Sequence, residues 1–554
     1  MANVVNFQKV PVDVQKRNGF DRSHRVSGTA TCGTLHPVLT KFIIPSTEIN
    51  LSATLAVDFP PFATDFKGRV NAAVECFFVP CRQAFAGWKN FIKQGNKNIV
   101  FLPWVCDTST PMGWHSFFVD YFSKPNLLSY LGANVRAVAS RDSDTQPICC
   151  ALPLISYHLI YNYWYRNKNI QMDAFSDAEV NYMDDYDQKL VDITKSYRYL
   201  DASGIDGVFT HPVLGSFYDF FRTFEDAYSP DQAFLKDGHN WFEFRQRNYP
   251  KDYFTAAFSS PIGSNNPVYV STEGDKFTIQ TLRAGNALTQ FIERFALAGD
   301  DYDDIIYANY GVRPSDAAVN HPIYLGRIRQ TVYNRYVENN AGTGAETQNP
   351  LSGTLGAAVA RGNVSDNGRL CKNFTATEHG YLMCLFSVWP DAQYNYGVDR
   401  NLLLSDITSV PWPLLQGVGM DAIYNIELYG RVGDTDDVLY NPYTTFGYSE
   451  RYSWYKFDND RVLGLMTPGQ NLDSFALQRV FGNTPQLGSQ FLQVGKNDMD
   501  NIFAVSQSQS GFSCWFDIYF SFRISAPIAA YCIPTLGEPK DARQVWIDNG
   551  GHML

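Results

Sequence analysis

Residues 512–525, with the sequence FSCWFDIYFSFRIS, divide their side chains into two sets with a period of two. One set is apolar and consists of Phe512, Cys514, Phe516, Ile518, Phe520, Phe522 and Ile524. The other contains Ser513, Trp515, Asp517, Tyr519, Ser521, Arg523 and Ser525. Successive side chains of a β-strand point to opposite faces, whereas a helix would scatter both sets around its circumference. The stretch therefore predicts a long β-strand with one buried face.

Four further stretches predict strands. Residues 49–59 alternate in the same way, and residues 70–79 end at Pro80. Residues 381–389 are apolar on both faces, and residues 422–432 carry glycines around their end. Strands this far apart cannot be a series of local hairpins, and the cost of closing long loops grows only logarithmically. We therefore expect one β-sandwich with long insertions. Several small β domains are the alternative, although no linker of biased composition and no fixed-period repeat separates them.

Parts of the insertions have helical periodicity. Between residues 281 and 299, Leu288, Phe291, Ile292 and Phe295 share the spacing of one helix face, and Gly299 is suited to end that helix. Residues 83–93 and 159–167 are shorter helix candidates. Residues 173–192 are strongly acidic, which is typical of a solvated excursion on the surface.

The composition excludes several classes of protein. The 554 residues include 45 Lys and Arg against 56 Asp and Glu, a formal net charge of −11. With 45% apolar and 18% charged residues, the chain is not intrinsically disordered. The N-terminus lacks the apolar run of a signal peptide, and no apolar stretch is long enough to span a membrane, so we expect no membrane insertion. The ten cysteines form no CxxC pair, which favours reduced, buried thiols.

No pattern in the sequence points to catalysis or to a cofactor. The motifs GxGxxG, GxxxxGK[ST], HExxH and GxSxG do not occur, and the nine histidines are dispersed. Four carboxylates could offer oxygen ligands to a hard cation: Asp300, Asp301, Asp303 and Asp304. They lack the spacing, glycine and terminal Glu of a calcium loop, and they follow Gly299 as a polar helix exit would. We therefore keep them only as candidate metal ligands.

The N-terminal thirty residues are locally basic. Their cations are Lys9, Lys16, Arg17, Arg22 and Arg25, and only Asp13 and Asp21 oppose them. An extended arm of this charge could neutralise nucleic-acid phosphates without reading sequence. An exposed tail that docks on a neighbouring subunit fits the same residues equally well.

Seven blocks of short motifs follow one another in a fixed order between residues 27 and 536. They are Gly33-Thr34-Leu35-His36-Pro37 with Ile44-Pro45-Ser46-Thr47; Phe78-Val79-Pro80-Cys81-Arg82 with Trp88 and Phe91-Ile92; Leu159-Ile160-Tyr161-Asn162 with Trp164, Arg166 and Asn167-Lys168-Asn169; Asp252-Tyr253-Phe254-Thr255; Ala287-Leu288, Phe291 and Glu293-Arg294 with Tyr310-Gly311-Val312 and Pro322-Ile323-Tyr324-Leu325-Gly326; Thr377-Glu378-His379-Gly380-Tyr381; and Phe446-Gly447-Tyr448 with Glu450-Arg451, Tyr455-Lys456, Arg461-Val462 and Gly464. In this collinear order the chain resembles the major capsid proteins of microviruses (Microviridae), gokushoviruses in particular. It differs from their pattern in the length of residues 173–248 and in Arg327, which stands where a glycine run is usual.

The resemblance implies a mainly β fold: a single eight-stranded viral jelly roll, an antiparallel β-sandwich with large, partly helical loop insertions. It divides the chain into an extended N-terminal arm (1–32), a jelly-roll capsid domain (33–536) and a C-terminal tail (537–554). Surface insertions are expected at residues 83–250 and 281–375.

The resemblance also implies the function. A structural protein, not an enzyme, would assemble through pentamers into a T=1 icosahedral shell around the circular single-stranded DNA genome of a small bacteriophage. Its partners would be further copies of itself, the genome, a small basic DNA-binding virion protein and a host cell-surface receptor. It would be located in the virion after assembly in the bacterial host cytoplasm. An aromatic-rich composition with sparse charge suits such obligate interfaces.

In shells of this kind a large insertion rises at the three-fold axis and meets the host. We assign this protrusion to residues 173–248. Six aromatic residues there could pack a trimeric stem: Tyr197, Tyr199, Phe217, Tyr218, Phe220 and Phe221. Alternatively, they cover their own subunit.

Two other functions fit an acidic, aromatic-rich β protein. A carbohydrate-binding or adhesion β-sandwich is one, although the signal peptide or disulfide framework expected outside the cell is not visible. A β-rich glycoside hydrolase is the other, and it would need two convergent carboxylates in a cleft.

Overall fold

The computed structural model describes residues 17–60, 62, 66–85, 88–93, 104–107, 121–135, 146–171, 242–261, 321–332, 361–362, 368–417, 419–430, 443–503 and 511–528. These residues contain the strands β1 (Asn18–Asp21), β2 (His24–Ala30), β3 (His36–Ile43), β4 (Glu48–Asp58), β5 (Val70–Pro80), β6 (Trp104–Asp107), β7 (Gln146–Cys150), β8 (Ile323–Val332), β9 (Arg361–Gly362), β10 (Gly368–Thr375), β11 (Gly380–Pro390), β12 (Met420–Tyr424), β13 (Thr445–Glu450) and β14 (Cys514–Ala526). The fold is therefore mainly β.

The helices in the described residues are short. They are α1 (Cys81–Ala84), α2 (Trp88–Lys93), α3 (Leu127–Leu131), α4 (Leu152–Ile160), α5 (Asn425–Leu428), α6 (Ser453–Lys456) and α7 (Ser489–Leu492). The chain continues from α4 into a π-helical turn, Tyr161–Tyr165, and the remaining helical segments are single 3-10 turns at Arg400–Leu402, Pro413–Leu415, Gly464–Met466, Asp473–Phe475 and Asp500–Ile502. The helical predictions for residues 83–93 and 159–167 agree with α1, α2 and the α4 region, whereas residues 281–299 lie outside the described part of the chain.

The first sheet joins the two ends of the chain. Strand β14 lies between β4 on one side and β1 and β2 on the other, and β9 and β10 pair with the far edge of β4. Every pair is antiparallel, and the β14–β4 register places Phe516 opposite Val57 and Ile524 opposite Ile49. The prediction that residues 49–59 and 512–525 share one sandwich is confirmed.

The second sheet has the order β3-β11-β5-β8, again with antiparallel pairs. Strands β5 and β11 lie in its centre and are buried along almost their whole length. This agrees with the sequence of residues 381–389, which is apolar on both faces, because a strand covered on both faces needs apolar side chains in both sets.

The main core lies between the two sheets. The apolar set of β14 points into it, and the Phe516 ring packs 4.8 Å from the Phe386 ring of the second sheet, measured between centroids. Both Phe516 and Phe520 are buried, whereas Trp515 and Tyr519 of the other set are exposed, as the period of two predicts. Burying each large apolar side chain contributes about 1.5–3 kcal/mol, so β14 alone makes a large contribution to stability.

A corner at Gly33 carries the chain from the first sheet to the second. Gly33 follows β2 and has φ +72°, a left-handed conformation that glycine adopts without steric cost. Its N–H donates a hydrogen bond to the Val388 carbonyl of β11 at 2.8 Å, and any side chain there would collide with Val494. The corner therefore fixes both the turn and its contact with the second sheet.

Two insertions flank the sandwich. The chain between β5 and β8 brings α1 and α4 onto the outer face of the second sheet, where a separate apolar cluster forms with Phe77, Val79 and Leu385. The chain between β11 and β14 contains the two-stranded β12–β13 sheet and contributes most of a third apolar cluster, joined by Tyr253 and Phe254. The outer face of the first sheet, here called its open face, carries the exposed side chains of Trp515 and Tyr519.

Three boundaries differ from the sequence predictions. Residues 18–30 of the predicted arm form β1 and β2, because their backbone groups pair with β14. The predicted insertion 281–375 contains β8 and β10, which are sandwich strands with polar outer faces that weaken the apolar alternation. The predicted strand 422–432 ends at Tyr424, because Glu427 accepts a hydrogen bond from the Tyr424 N–H at 3.0 Å and closes the helical turn α5.

Candidate functional site

Motifs that are far apart in the sequence meet in space. Arg82, directly after β5, donates two hydrogen bonds to the Glu378 carboxylate, at 2.8 Å from Nε and 3.2 Å from Nη2. The Cys81 N–H donates to the His379 carbonyl at 2.9 Å in the same place. A bidentate guanidinium–carboxylate pair is directional as well as strong, so this contact fixes the start of the first insertion against the strand entering β11.

Two further motif pairs connect insertions to the sandwich. The Trp164 indole N–H donates to the Pro322 carbonyl at 2.9 Å, and its ring lies 5.3 Å from the Tyr324 ring. Phe258 and Tyr448 exchange backbone hydrogen bonds of 2.8 Å in both directions, which joins the chain after Asp252–Thr255 to β13. These motif residues are therefore structural connections, and they do not converge on a reaction centre.

A buried ion pair holds the end of the first insertion against β5. Arg247 Nη1 lies 2.9 Å from Glu75 Oε2, and its guanidinium carbon is 3.8 Å from the centroid of the Trp389 ring. The Tyr165 hydroxyl donates to the same Glu75 oxygen, while Arg247 also donates to the Ser387 hydroxyl at 3.2 Å. Because both charges have several partners, their burial is compensated.

Glu427 is the buried carboxylate that most resembles a catalytic acid. Burial raises its pKa, and Arg400 at 2.7 Å opposes this shift. Its other oxygen accepts a hydrogen bond from the Tyr253 hydroxyl at 3.0 Å, and Tyr424 N–H shares the oxygen facing Arg400. Carboxyl groups with a raised pKa are common in active sites. Here, however, the partners are structural groups of the two insertions: Arg400 and Tyr424 belong to the same insertion as Glu427, and Tyr253 belongs to the chain between β5 and β8, so Glu427 anchors Tyr253 and α5.

The cations of the N-terminal segment contact their own sheet wherever the structure describes them. Arg17 donates to the Ser46 hydroxyl at 2.7 Å, and Arg25 Nε lies 3.2 Å from Asp517 on β14. The Arg22 guanidinium lies 5.4 Å from the centroid of the Phe522 ring. Lys9 and Lys16 lie outside the described residues. The structure thus brings three of the five predicted DNA contacts onto one edge of the first sheet, where each has an intramolecular partner.

The open face of the first sheet carries mixed polar and aromatic side chains. Its cross-strand rows place Arg25 beside Tyr519 and Thr54, and Thr29 beside Trp515 and Asp58. Cations and carboxylates are interspersed there, so the face has no strong charge of either sign.

A loop after β11 exposes an unusual density of large apolar side chains. We define the apolar loop as residues 399–415. It exposes Leu402, Leu404, Ile407, Val410, Trp412 and Leu414, with Leu402, Ile407 and Leu414 exposed by 78%, 72% and 90%. A second set of exposed apolar side chains, Tyr455, Phe457, Leu463 and Leu465, lies on the chain that contacts this loop. We call the ten residues together the apolar patch.

Ion pairs and hydrogen bonds join the two parts of the apolar patch. Arg461 Nη2 lies 3.2 Å from Asp399, and the Thr408 carbonyl accepts hydrogen bonds from Arg451 at 3.3 Å and from the Tyr452 hydroxyl at 3.2 Å. Within the loop, the Trp412 indole donates to the Ile407 carbonyl at 2.9 Å. The apolar side chains are thus presented on a backbone that is already hydrogen-bonded.

Sequence reasoning missed the apolar patch. Residues 401–415, NLLLSDITSVPWPLL, are rich in large apolar residues but follow neither a period of two nor one of 3.6. Without a periodic pattern, the sequence does not distinguish an exposed apolar loop from one that is covered by its own fold.

Several predicted site residues lie outside the described residues. They are the candidate metal ligands Asp300, Asp301, Asp303 and Asp304 and the candidate protrusion residues Tyr197, Tyr199, Phe217, Tyr218, Phe220 and Phe221. Within the described ranges, no group of three or more His, Cys, Asp or Glu side chains could hold a metal ion. No helix among the described residues is long and apolar enough to cross a membrane.

Comparison with known proteins identifies the class as a capsid protein. A family model described as "Capsid protein (F protein)" matches residues 8–213 and 255–536. The chain therefore belongs to this family of phage capsid proteins, which confirms the microvirus resemblance of its motifs.

Curated relatives of the same class cover nearly the whole chain. The chain is 27% identical to Capsid protein VP1 of Chlamydia phage 1, with 96% of this chain and 97% of that protein aligned. It is 22% identical to Capsid protein VP1 of Bdellovibrio phage phiMH2K, over 96% and 98% of the two chains. A third Capsid protein VP1, from Spiroplasma virus 4, is 24% identical over 47% of this chain and 45% of that protein.

Proposed function

We propose that the protein is the major capsid protein of a small bacteriophage and assembles into a T=1 icosahedral shell around a circular single-stranded DNA genome. The observation that carries this proposal is the order of strands in the two sheets. The two sheets contain eight rows of strands when β1 is counted with β2 and β9 with β10. Numbered in chain order from 1 (β1 and β2) to 8 (β14), the rows follow the order 1-8-3-6 in the first sheet and 2-7-4-5 in the second. This order supports an eight-stranded jelly roll, because two four-stranded sheets joined by Greek-key crossings define that fold.

The relatives support the assembly part of the proposal. Their names describe capsid proteins of phages, and two of them align with 96% of this chain. Identical subunits that meet through heterologous contacts form closed shells when the rotation between neighbours closes. We infer that pentamers are intermediates, that assembly takes place in the host cytoplasm and that a small basic virion protein shares the neutralisation of the genome. The net charge of −11 supports the last point.

We further propose that residues 173–241 form a protrusion that meets the host surface, because residues 242–248 of the predicted segment pack against the second sheet through Phe242 and Arg247. The acidic, aromatic-rich sequence of this segment supports the assignment. Deleting it should leave shells intact and abolish adsorption to the host. Loss of shells, measured by electron microscopy, would instead place the segment within the shell wall.

The proposed function is tested by expressing the full chain together with the phage genome. Sedimentation and electron microscopy should show isometric shells, and nuclease treatment should leave circular single-stranded DNA protected inside them. A protein that stays monomeric and binds a glycan would support the adhesion alternative. A monomer that hydrolyses glycosides would support the hydrolase alternative.

The N-terminal cations provide a prediction about the genome. Changing Lys9, Lys16 and Arg17 together to Gln should leave folding intact and lower the packaged DNA, because cations on an arm neutralise phosphates. The packaged DNA is measured by absorbance and by quantitative amplification from purified shells. A matched control changes the exposed Lys124, Lys251 and Lys372 to Gln. Equal DNA in both variants and in wild type would contradict the DNA role of the arm.

A further inference from the structure

The apolar patch is larger than a free surface usually carries. At the observed exposures its ten side chains present roughly 1,000 Å² of apolar area, whereas the largest patch on a typical monomer is about 300–600 Å². One partner of a standard protein interface buries about 800 Å². The apolar area that the ten side chains expose in total is therefore comparable to one side of a standard interface.

The rim of the patch is polar, and three ion pairs are formed there within the subunit. Arg461 pairs with Asp399 at 3.2 Å, Lys456 with Glu450 at 2.9 Å and Arg451 with Asp421 at 3.8 Å. The one charged side chain within residues 401–415, Asp406, accepts hydrogen bonds of 2.8 Å from the Ser409 N–H and the Thr408 hydroxyl. Covering the patch would therefore leave none of these charges buried without a partner.

The chemistry of the patch favours a protein partner over nucleic acid or a membrane surface. Nucleic acid needs cations that are available to phosphates, and the three rim cations are held by carboxylates. A membrane surface favours amphipathic helices with a lysine- and arginine-rich polar side, whereas this loop is non-helical apart from two 3-10 turns. An apolar centre within a polar rim is the anatomy of interfaces between identical subunits.

We propose that the apolar patch, centred on residues 399–415, is a contact surface for a second copy of this chain. The inference rests on the proposed shell function and names the surface that builds it. The loop is held by its own hydrogen bonds, from Trp412 to Ile407 and from Ser405 and Asp406 N–H to the Ser409 hydroxyl at 3.1 and 3.2 Å. A partner can thus dock without ordering the loop first, which lowers the entropic cost of association.

The first test places a charge in the centre of the patch. Leu414→Asp and Ile407→Asp should fold as the wild type does, because both side chains are exposed, and should lower the yield of shells at least tenfold. Leu414→Met, which keeps apolar area, should assemble normally. The matched control is Ile92→Asp on α2, another exposed aliphatic residue outside the patch. Circular dichroism reports folding, and sedimentation velocity reports assembly.

The outcomes separate this inference from the proposed function. If the wild type forms shells and both aspartate variants form them equally well, the inference is overturned and the shell function stands. If Ile92→Asp loses assembly to the same extent, general surface charge explains the loss and the inference is again overturned. If the wild-type chain itself stays monomeric, both fail.

A second test distinguishes another copy from a segment of the same chain. A photo-crosslinking amino acid at position 414 is introduced into chains grown in normal and in heavy nitrogen, and the two populations are mixed before assembly. Crosslinked peptides of mixed isotope composition are expected, because the partner is a different molecule. Crosslinks only within one isotope would show that the chain covers its own patch and would overturn the inference.

Discussion

At the scale of single residues, His36 shows how a buried titratable group responds to its surroundings. It lies on β3 between the rings of Tyr130 and Phe244, at centroid distances of 5.0 and 4.8 Å. Its Nε2 accepts a hydrogen bond from the Thr31 N–H at 3.2 Å. Burial, together with the charge of Lys496, lowers the pKa of His36 from 6.5 to about 3. The neutral imidazole is thus the form that fits the fold.

This shift predicts a loss of stability in acid. Above pH 6.5 neither the folded nor the unfolded chain protonates His36. Below that pH the unfolded chain binds a proton that the folded chain excludes, so stability falls until about pH 3. Between pH 7 and pH 4.5 this amounts to about 2–3 kcal/mol. Gln can keep the Thr31 hydrogen bond without titrating. Between pH 7 and pH 4.5 the His36→Gln variant should therefore lose about 2–3 kcal/mol less free energy of unfolding than the wild type, as measured by urea unfolding of dissociated subunits. An identical loss in both proteins would contradict the prediction.

The Glu75–Arg247 pair predicts a non-additive pair of mutations. Glu75→Gln or Arg247→Gln alone leaves one buried charge without its partner, which costs about 3–5 kcal/mol. The double variant should cost less than the sum, by roughly 1–3 kcal/mol, because neither position then carries a buried charge and only the half-exposed Arg327, 3.9 Å from Glu75, loses a carboxylate. Chemical unfolding of the four proteins measures this coupling. Simple additivity would show that the two side chains do not depend on one another.

At the scale of elements, β14 is the strand on which the first sheet depends. Phe516→Asp or Phe520→Asp places an unpaired charge between the sheets and should cost roughly 3–5 kcal/mol, enough to abolish soluble folding of a marginally stable chain. The control is Tyr519→Asp on the open face of the same strand, where 47% of the residue is exposed. Its cost should stay below about 1 kcal/mol. Soluble yield and thermal unfolding distinguish the two sides of the strand.

The N-terminal strands give a deletion prediction. Removing residues 1–16 leaves β1 and β2 in place, so the subunit should fold. Removing residues 1–30 exposes the free edge of β14 and uncovers part of the main core, and an unpaired central strand promotes aggregation. The shorter deletion should therefore be soluble and the longer one should aggregate, as measured by light scattering. Soluble, folded protein from both would show that β1 and β2 contribute little.

The elements also show which features the sequence could predict. The strands 49–59 and 512–525 were predictable because a strong period of two results when one face meets the core and the other meets solvent, and the strand 70–79 was predictable from its mainly apolar run that ends at Pro80. The edge strand β8 was not, since its outer face carries Arg327 and Arg329 and a bulge near Gly326 interrupts its pairing. The apolar loop has no period at all, and its exposure depends on tertiary packing that no local pattern encodes.

At the scale of the whole molecule, the two sheets have different surroundings. The second sheet is covered by α1, α4 and the chain around Arg247, whereas Trp515 and Tyr519 are exposed on the outer face of the first sheet. The apolar patch lies on the insertion between β11 and β14 and belongs to neither sheet. Each insertion thus contributes its own apolar cluster beside the core between the two sheets.

The central position of β14 has a consequence for biosynthesis. Strand β14, which lies between β2 and β4, is synthesised after every other strand of the first sheet. Until translation has passed residue 526, the first sheet lacks its middle, and such long-range pairings form late and slowly. A polypeptide that stops before β14 therefore lacks a complete first sheet. The fold of the subunit is completed only after the last of its sandwich strands has been made.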